Sequence, residues 1–305
     1  MLRQAGERDR LRDVTDPARA TAPLQPPRIS LPPAWWGVAA PGDVPPFRPL
    51  TALVADGVLD AELAGLLWLL VEAGVPVMVA GPRGSGRTTL LTALLAVLPA
   101  DTKPLLLAGA DEDFTAIPEA VELGWRRERG GDAKEPAGPR PAPHHTSLLA
   151  AEVGDRPPLG VWGDRARVAI RALALGYGFG ATIEAGGLDD VLTLLRGPDV
   201  AAGADELAGL GLVVAMAPRA ADAAPRVAVA HYVRPLVRDP GGHVQRLLPA
   251  VLAARDVRSG TWSHFAWGLS DELGGRVGRR PLDLEREQAR RAAVILAASH
   301  DAPGG

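Results

Sequence analysis

The residues in this chain with the clearest chemical grammar run from Gly81 to Thr88: Gly81-Pro82-Arg83-Gly84-Ser85-Gly86-Arg87-Thr88. The spacing is that of a phosphate cradle, glycine, four residues, glycine, lysine and then serine or threonine. It is met at every fixed position except that Arg87 stands where lysine is expected. Gly84 and Gly86 can adopt positive φ, which turns consecutive N–H groups inward toward an anion. Thr88 falls where a hydroxyl would hold Mg²⁺, and Thr89 continues into a helix whose dipole and free N–H groups favour phosphate at that end. Arg87 keeps the positive charge but is planar, longer and always ionised, so the expectation is that nucleotide binding survives while transition-state stabilisation suffers.

Three carboxylates qualify as partners for such a loop. Asp164 ends a further core strand read over Pro158–Asp164, where an acid could orient Mg²⁺ or an attacking water. Glu184 ends a strand read over Ala181–Ala185, and ligands of open α/β sheets gather at strand carboxyl ends. That position suits a γ-phosphate sensor, and equally an ordinary exposed strand-end glutamate. Asp111 heads the cluster Asp111-Glu112-Asp113 at the exit of another strand. It could polarise water or hold Mg²⁺, or the cluster could cap a helix beginning near Pro118. His144 and His145 have no cysteine or acidic partner at ligand spacing, which argues against a metal site.

The elements that must position these groups follow from periodicity. Val77–Ala80 is a short apolar run, read as a parallel strand buried on both faces, and Thr89–Leu98 as the helix after the loop. Asp60–Ala73 reads as a buried helix leading into that strand. Beyond the loop, the pattern predicts a strand over Lys103–Leu107, a short helix over Ser147–Val153 and a helix over Ala166–Leu175. It continues with helices over Leu188–Leu195 and Ala204–Leu210 and a strand over Leu212–Ala217. Strands are then expected over Arg226–Val233 and Val244–Ala250, around the turn Asp239-Pro240-Gly241-Gly242, with Gly260-Thr261-Trp262 as a further hairpin signal. The last helix, Leu282–Ala298, is expected to carry Glu285, Glu287, Arg290 and Arg291 on a solvated face.

Composition bounds the rest. With 305 residues the chain can bury a sizeable core, in one large or two modest domains. A net charge of −3 and a pI near 6.1 give no electrostatic reason to expect nucleic acid as a partner. There is no cysteine, hence no disulfide framework or thiolate metal site. The first residues lack the apolar core of a signal peptide, and Leu63–Ala80, the most hydrophobic stretch, is interrupted by Glu72 and Pro76. The expectation is a soluble cytoplasmic protein. Residues 1–48 read as a proline-rich extended or disordered arm pinned by Trp35, Trp36 and Phe47. Residues 49–220 form the core with a flexible loop at 128–146, and 221–305 complete the same domain.

Taken together, these motifs resemble the ATPases of type II and type IV secretion systems and of pilus assembly, over about Leu50 to Ala298. The family's lead-in helix and loop are similar to Ala61-Glu62-Leu63-Ala64 and Gly81–Leu91. Its arginine-proline strand ending in a Walker-B glutamate is similar to Arg156-Pro157 followed by Val161-Trp162-Gly163-Asp164. Its glycine-histidine turn and histidine box look like Gly176–Ala185. The departures all fall on chemistry: Arg87 for lysine, Gly109-Ala110 for the acidic box, Asp164 for glutamate, and Tyr177 and Glu184 for the two histidines. The family's separate N-terminal domain is replaced by the proline-rich arm.

The resemblance implies an α/β, RecA-like P-loop core with a mostly parallel sheet, an antiparallel C-terminal extension and a terminal helix. It also implies ATP and Mg²⁺ as ligands and a homo-oligomeric, hexameric ring. Membrane-embedded secretion or pilus subunits are the implied partners, with a cytoplasmic location at the inner face of the membrane. Gly81, Pro82, Arg83, Gly84, Ser85, Gly86, Arg87, Thr88 and Thr89 would bind nucleotide, Thr88 and Asp164 the metal, and Asp164, Glu184 and Asp111 would serve catalysis. Arg126, Arg127 and Arg156 are candidates to act across a subunit interface. Shortening glutamate to aspartate withdraws a carboxylate, and a displacement of about 1 Å can cost roughly a hundredfold in rate. Glu184 would repel a γ-phosphate and weaken ATP more than ADP. The competing expectation is a catalytically silent relative that serves as a scaffold.

Overall fold

The computed structural model describes residues 31–126, 142–219, 224–239 and 241–300. In chain order its elements are α1 (Leu50–Ala55), α2 (Ala61–Glu72), β1 (Val77–Ala80), α3 (Arg87–Leu95), β2 (Lys103–Leu106), β3 (Thr146–Val153), β4 (Gly160–Val161) and α4 (Asp164–Ala172). There follow β5 (Gly178–Ile183), α5 (Leu188–Arg196), α6 (Ala204–Leu207), β6 (Leu212–Met216) and β7 (Val227–Tyr232). The hairpin β8 (Val237–Arg238) and β9 (Val244–Gln245), then β10 (Ala250–Arg255), β11 (Trp262–His264), α7 (Ser270–Val277) and α8 (Pro281–His300) complete them.

One sheet organises the molecule, in the order β11-β10-β7-β6-β1-β5-β3-β2 with β4 paired to β3. The half containing β6, β1, β5, β3, β2 and β4 is parallel, and β7, β10 and β11 extend it antiparallel. The fold is therefore mixed α/β with a mostly parallel central sheet. Its faces bury separate clusters: Val77 and Val79 of β1 join α2, α3 and α8 on one side, while Met78 and Ala80 join α4 and α5 on the other. Burial on both faces is why these strands are near-continuous apolar runs rather than alternating ones.

Segment Thr146–Val153 departs from the expected short helix. It is a strand in the middle of the parallel half, with Leu149 and Ala151 in one cluster and Leu148, Ala150 and Val153 in the other. A short unbroken apolar run suits a buried strand and a buried helix equally, and only its neighbours β2 and β5 decide. The expected helix near Pro118 is a series of turns. Strand Val244–Ala250 is the two-residue β9, with β10 forming afterwards; α1 and α7 had no expected counterpart.

Helix α2 begins where Asp60 accepts the Leu63 N–H at 2.9 Å, a side-chain cap. It packs on α8 at Gly65, where an added Cβ would stand 2.9 Å from the Ala292 nitrogen and the Gln288 oxygen. Any side chain there would push the two helices apart. Ahead of α1, Trp35 is buried in the same cluster and Trp36 packs against it. No helix among the described residues is long and apolar enough to cross a membrane.

Candidate functional site

Register brings the carboxyl ends of three parallel strands level: Ala80 of β1 pairs with Ile183 of β5, and Ile183 with Val153 of β3. The segments leaving those ends are the Gly81–Thr88 loop, Glu184, and the Glu152–Arg156 turn. Gly81, Gly84 and Gly86 have φ of 156°, 74° and 91°, the conformations that let the loop double back. The Gly81 N–H donates to the Ile183 carbonyl at 3.2 Å and the Ser85 N–H to the Pro82 carbonyl at 3.3 Å, fixing both ends of the turn. Gly86 caps α3, so the N–H groups of the first turn, through Thr88 and Thr89, lack intrahelical acceptors.

The loop has a closed and an open side. A Cβ on Gly86 would meet Pro225 at 2.8 Å, and one on Gly81 would meet the Ser85 Oγ at 2.6 Å and Met216 at 2.8 Å. A Cβ on Gly84 would meet nothing within 4 Å among the described residues. Ser85 is 1% exposed, yet its Oγ has no hydrogen-bond partner among the described residues. A buried hydroxyl left unmatched is costly and uncommon. Thr88 and Thr89 are half-buried on the first turn of α3.

Among the described residues, five charged side chains meet at the loop: Arg83, Arg87, Glu152, Arg156 and Glu184. Arg87 Nη2 lies 3.6 Å from Glu152 Oε1, and Arg87 Nη1 is buried without a hydrogen-bond partner among the described residues. Burial lowers the Arg87 pKa from its ordinary value, against the pull of Glu152 and Glu184. Glu184 Oε2 bridges two guanidiniums, with Arg156 Nη1 at 2.7 Å and Arg83 Nε at 3.3 Å. Glu184, expected to repel a γ-phosphate, is thus matched by two cations. Sequence reasoning missed Glu152 because it misread β3; the signal available was one acid closing an apolar run just before the turn Gly154-Asp155-Arg156-Pro157.

The other candidates lie apart. Strand β4 pairs with β3 on the side away from β5, three strand spacings or roughly 14 Å from β1. Asp164, just past it, is exposed on the first turn of α4. Asp111 is exposed on a 3-10 turn, Gly109–Asp111, beyond β2, tied to that edge by the Ala110 N–H donating to the Pro158 carbonyl at 2.9 Å. Within its cluster, Glu112 accepts from the Ala108 and Phe114 N–H groups at 2.7 Å each, and Asp113 accepts from Thr115, so these acids shape their own loop. Tyr177 precedes β5, about 20 Å from its carboxyl end. It is buried and donates to Glu119 at 3.0 Å, with a pKa raised chiefly by burial and further by Glu119. Arg126 is exposed, and Arg127 lies outside the described residues, as does most of the 128–146 loop. His145 pairs with Asp101 at 3.2 Å, and among the described residues no His, Cys, Asp or Glu cluster could hold a metal by itself.

No family model matches the chain. Over 83 residues it is 35% identical to a Mycobacterium tuberculosis protein provisionally named for conjugal transfer, the match covering 27% of this chain and 24% of that one. Over 159 residues it is 26% identical to an uncharacterized protein of Methanocaldococcus jannaschii, covering 50% of this chain and 27% of that one. The matches thus span about a quarter of the length of these relatives. Among solved structures, the VirB11 ATPase of the Brucella suis type IV secretion system, in complex with sulphate, aligns with a TM-score of 0.39 at 20% identity. That alignment covers 62% of this chain and 56% of that one.

Proposed function

We propose that this chain is a nucleotide-binding subunit of a secretion or pilus-assembly type machine, with a RecA-like P-loop core that binds ATP with Mg²⁺ at Gly81–Thr89. The observation that carries the reading is the buried, unmatched Ser85 Oγ inside a glycine turn at the start of α3. Helix N–H groups, a positive helix end and an unmatched hydroxyl together suit a phosphate. The loop-and-helix resemblance and the match to a protein named for conjugal transfer support the wider assignment. In this reading the backbone of Gly84, Ser85 and Gly86 cradles phosphates and Arg87 contacts them. Thr88 would offer its hydroxyl to Mg²⁺, and Glu152, beside Arg87 near the carboxyl end of β3, would offer a carboxylate. A metal held by one hydroxyl, one carboxylate and ligand phosphates needs no dedicated carboxylate cage, and when bound it supplies neutralisation of developing phosphate charge. The ring, the membrane partners and the cytoplasmic location belong to the same proposal.

Turnover in this reading is weak, because a planar guanidinium at Arg87 stands where the motif has a compact ammonium, and it shares its charge with Glu152 at 3.6 Å. That same pairing favours the second reading, a binding scaffold without hydrolysis. A phosphate-release assay on wild type beside Arg87→Lys, with thermal shift in ATP and ADP, separates them. Faster Mg²⁺-dependent release in Arg87→Lys, lost in Thr88→Ala, supports a weak ATPase. A ligand at a hundred times its Kd adds about 2.7 kcal/mol of stability, so a shift without release identifies a binding module. Neither shift nor release in any variant removes the nucleotide reading.

A further inference from the structure

The Arg83–Glu184–Arg156 bridge is built from three separate segments: the loop itself, the exit of β5 and the turn after β3. A single carboxylate oxygen of Glu184 serves both guanidiniums, one at 2.7 Å and one at 3.3 Å. Two cations sharing one monoanion leave a net positive charge at the mouth of a loop whose inner wall already offers helix N–H groups. Arg83 is 66% exposed and Arg156 46%, so both remain open to an incoming group.

We propose that the Glu184 carboxylate occupies the position that the terminal phosphate of a polyphosphate ligand takes between Arg83 and Arg156. Glu184 is then a built-in competitor that sets how strongly the protein prefers a triphosphate over a diphosphate. A terminal phosphate carries more charge than a carboxylate and has three oxygens, enough to meet both guanidinium forks at once. Glu184 is 37% exposed, so water can receive it once displaced. A diphosphate seated in the inner loop has no group to place between the two arginines and leaves the bridge intact. The inference rests on the nucleotide reading above, and it turns an expected repulsion into an exchange of partners.

Isothermal titration with MgATP and MgADP on wild type, Glu184→Gln, Arg156→Ala and the double variant tests it. Glu184→Gln is isosteric and half-exposed, and its unliganded melting temperature reports any structural effect separately. Removing the competitor is expected to tighten MgATP roughly three- to tenfold, the range set by one or two partly exposed ion pairs, and to leave MgADP within about twofold. Arg156→Ala is expected to weaken MgATP selectively, and the double variant to lose most of the gain of Glu184→Gln. If wild type binds MgATP but Glu184→Gln binds it no tighter, or tightens MgADP equally, the competitor is overturned while the nucleotide site stands. Binding that appears only in Glu184→Gln supports a competitor strong enough to mask the site. If no variant binds either nucleotide, both readings fall together.

Discussion

A buried and a half-buried arginine in this protein show opposite arrangements. Arg291 on α8 is 3% exposed, with Glu72 at 2.5 Å, Glu287 at 2.8 Å and the ring of Trp68 at 4.7 Å beneath its guanidinium. Arg87 at the start of α3 is 11% exposed, and its nearest carboxylate stands off at 3.6 Å. Among the described residues each leaves Nη1 without a hydrogen-bond partner, so the contrast lies in the remaining nitrogens. A cation ringed by two carboxylates and an aromatic face holds helices together; a cation with one distant partner still has capacity to meet something else.

The comparison breaks first at Arg291. Replacing it by methionine strands Glu72 between α2 and α8 and leaves Glu287 with Arg290 alone, and breaking a buried pair from one side is expected to cost about 3 kcal/mol or more in urea unfolding. A loss under 1 kcal/mol would mean that the cluster contributes little. The same cluster has an acid signature. Burial pushes the Glu287 pKa up, but the hydrogen bonds and charges of Arg290 and Arg291 outweigh it and hold the carboxyl at about 2 against an ordinary 4.5. A depressed carboxyl pKa stabilises the fold above the unfolded value, and that contribution is lost as pH falls from about 4.5 toward 2. The amount at stake is on the order of 3 kcal/mol. Acid titration of stability is expected to show a smaller drop in this window for Arg291→Met than for wild type.

The loop glycines give the next effect. Gly86→Ala places a Cβ 2.8 Å from Pro225 at a φ of 91°, so both sterics and backbone oppose it, with an expected loss of about 2 kcal/mol. Gly84→Ala meets none of the described residues within 4 Å and is expected to bear only the backbone cost, about 1 kcal/mol. Equal losses would mean that Pro225 yields. Arg87→Met then sharpens the arginine contrast: stability is expected to stay within about 1 kcal/mol of wild type, while MgATP affinity falls. A large destabilisation with unchanged affinity would make Arg87 a structural cation like Arg291.

The β1–loop–α3 unit was legible because each part is local: an apolar run, glycines at fixed spacing, and helix formers after them. Asp60–Ala73 was legible for the same reason, with Asp60 as its cap. What escaped depends on partners distant in the chain. The Ser147–Val153 run is apolar throughout, so nothing within it separates helix from strand, and with it went Glu152, the carboxylate nearest Arg87. Arg291 read as solvated because its spacing suits an exposed helix face, yet α8 crosses α2 at Gly65 and carries that face inward. Glu184 was placed at the correct strand end, but Arg83 and Arg156 reach it from other segments, which no spacing rule shows.

The smallest stability effect separates the two carboxylates that compete for one role. Asp164 is exposed on the first turn of α4, where a negative charge gains from the helix dipole. Asp164→Asn is therefore expected to cost only about 0.5 kcal/mol and to leave Mg²⁺-dependent nucleotide binding unchanged. Glu152→Gln removes the partner that draws Arg87 inward and also the carboxylate level with the loop. Its expected signature is split: ADP binding without metal is kept or tightened as Arg87 is released, while the extra affinity that Mg²⁺ confers on ATP is lost. If Asp164→Asn instead abolishes the Mg²⁺ effect and Glu152→Gln preserves it, the sequence's first candidate holds the metal. The alignment of β3 with the loop would then reflect only strand packing.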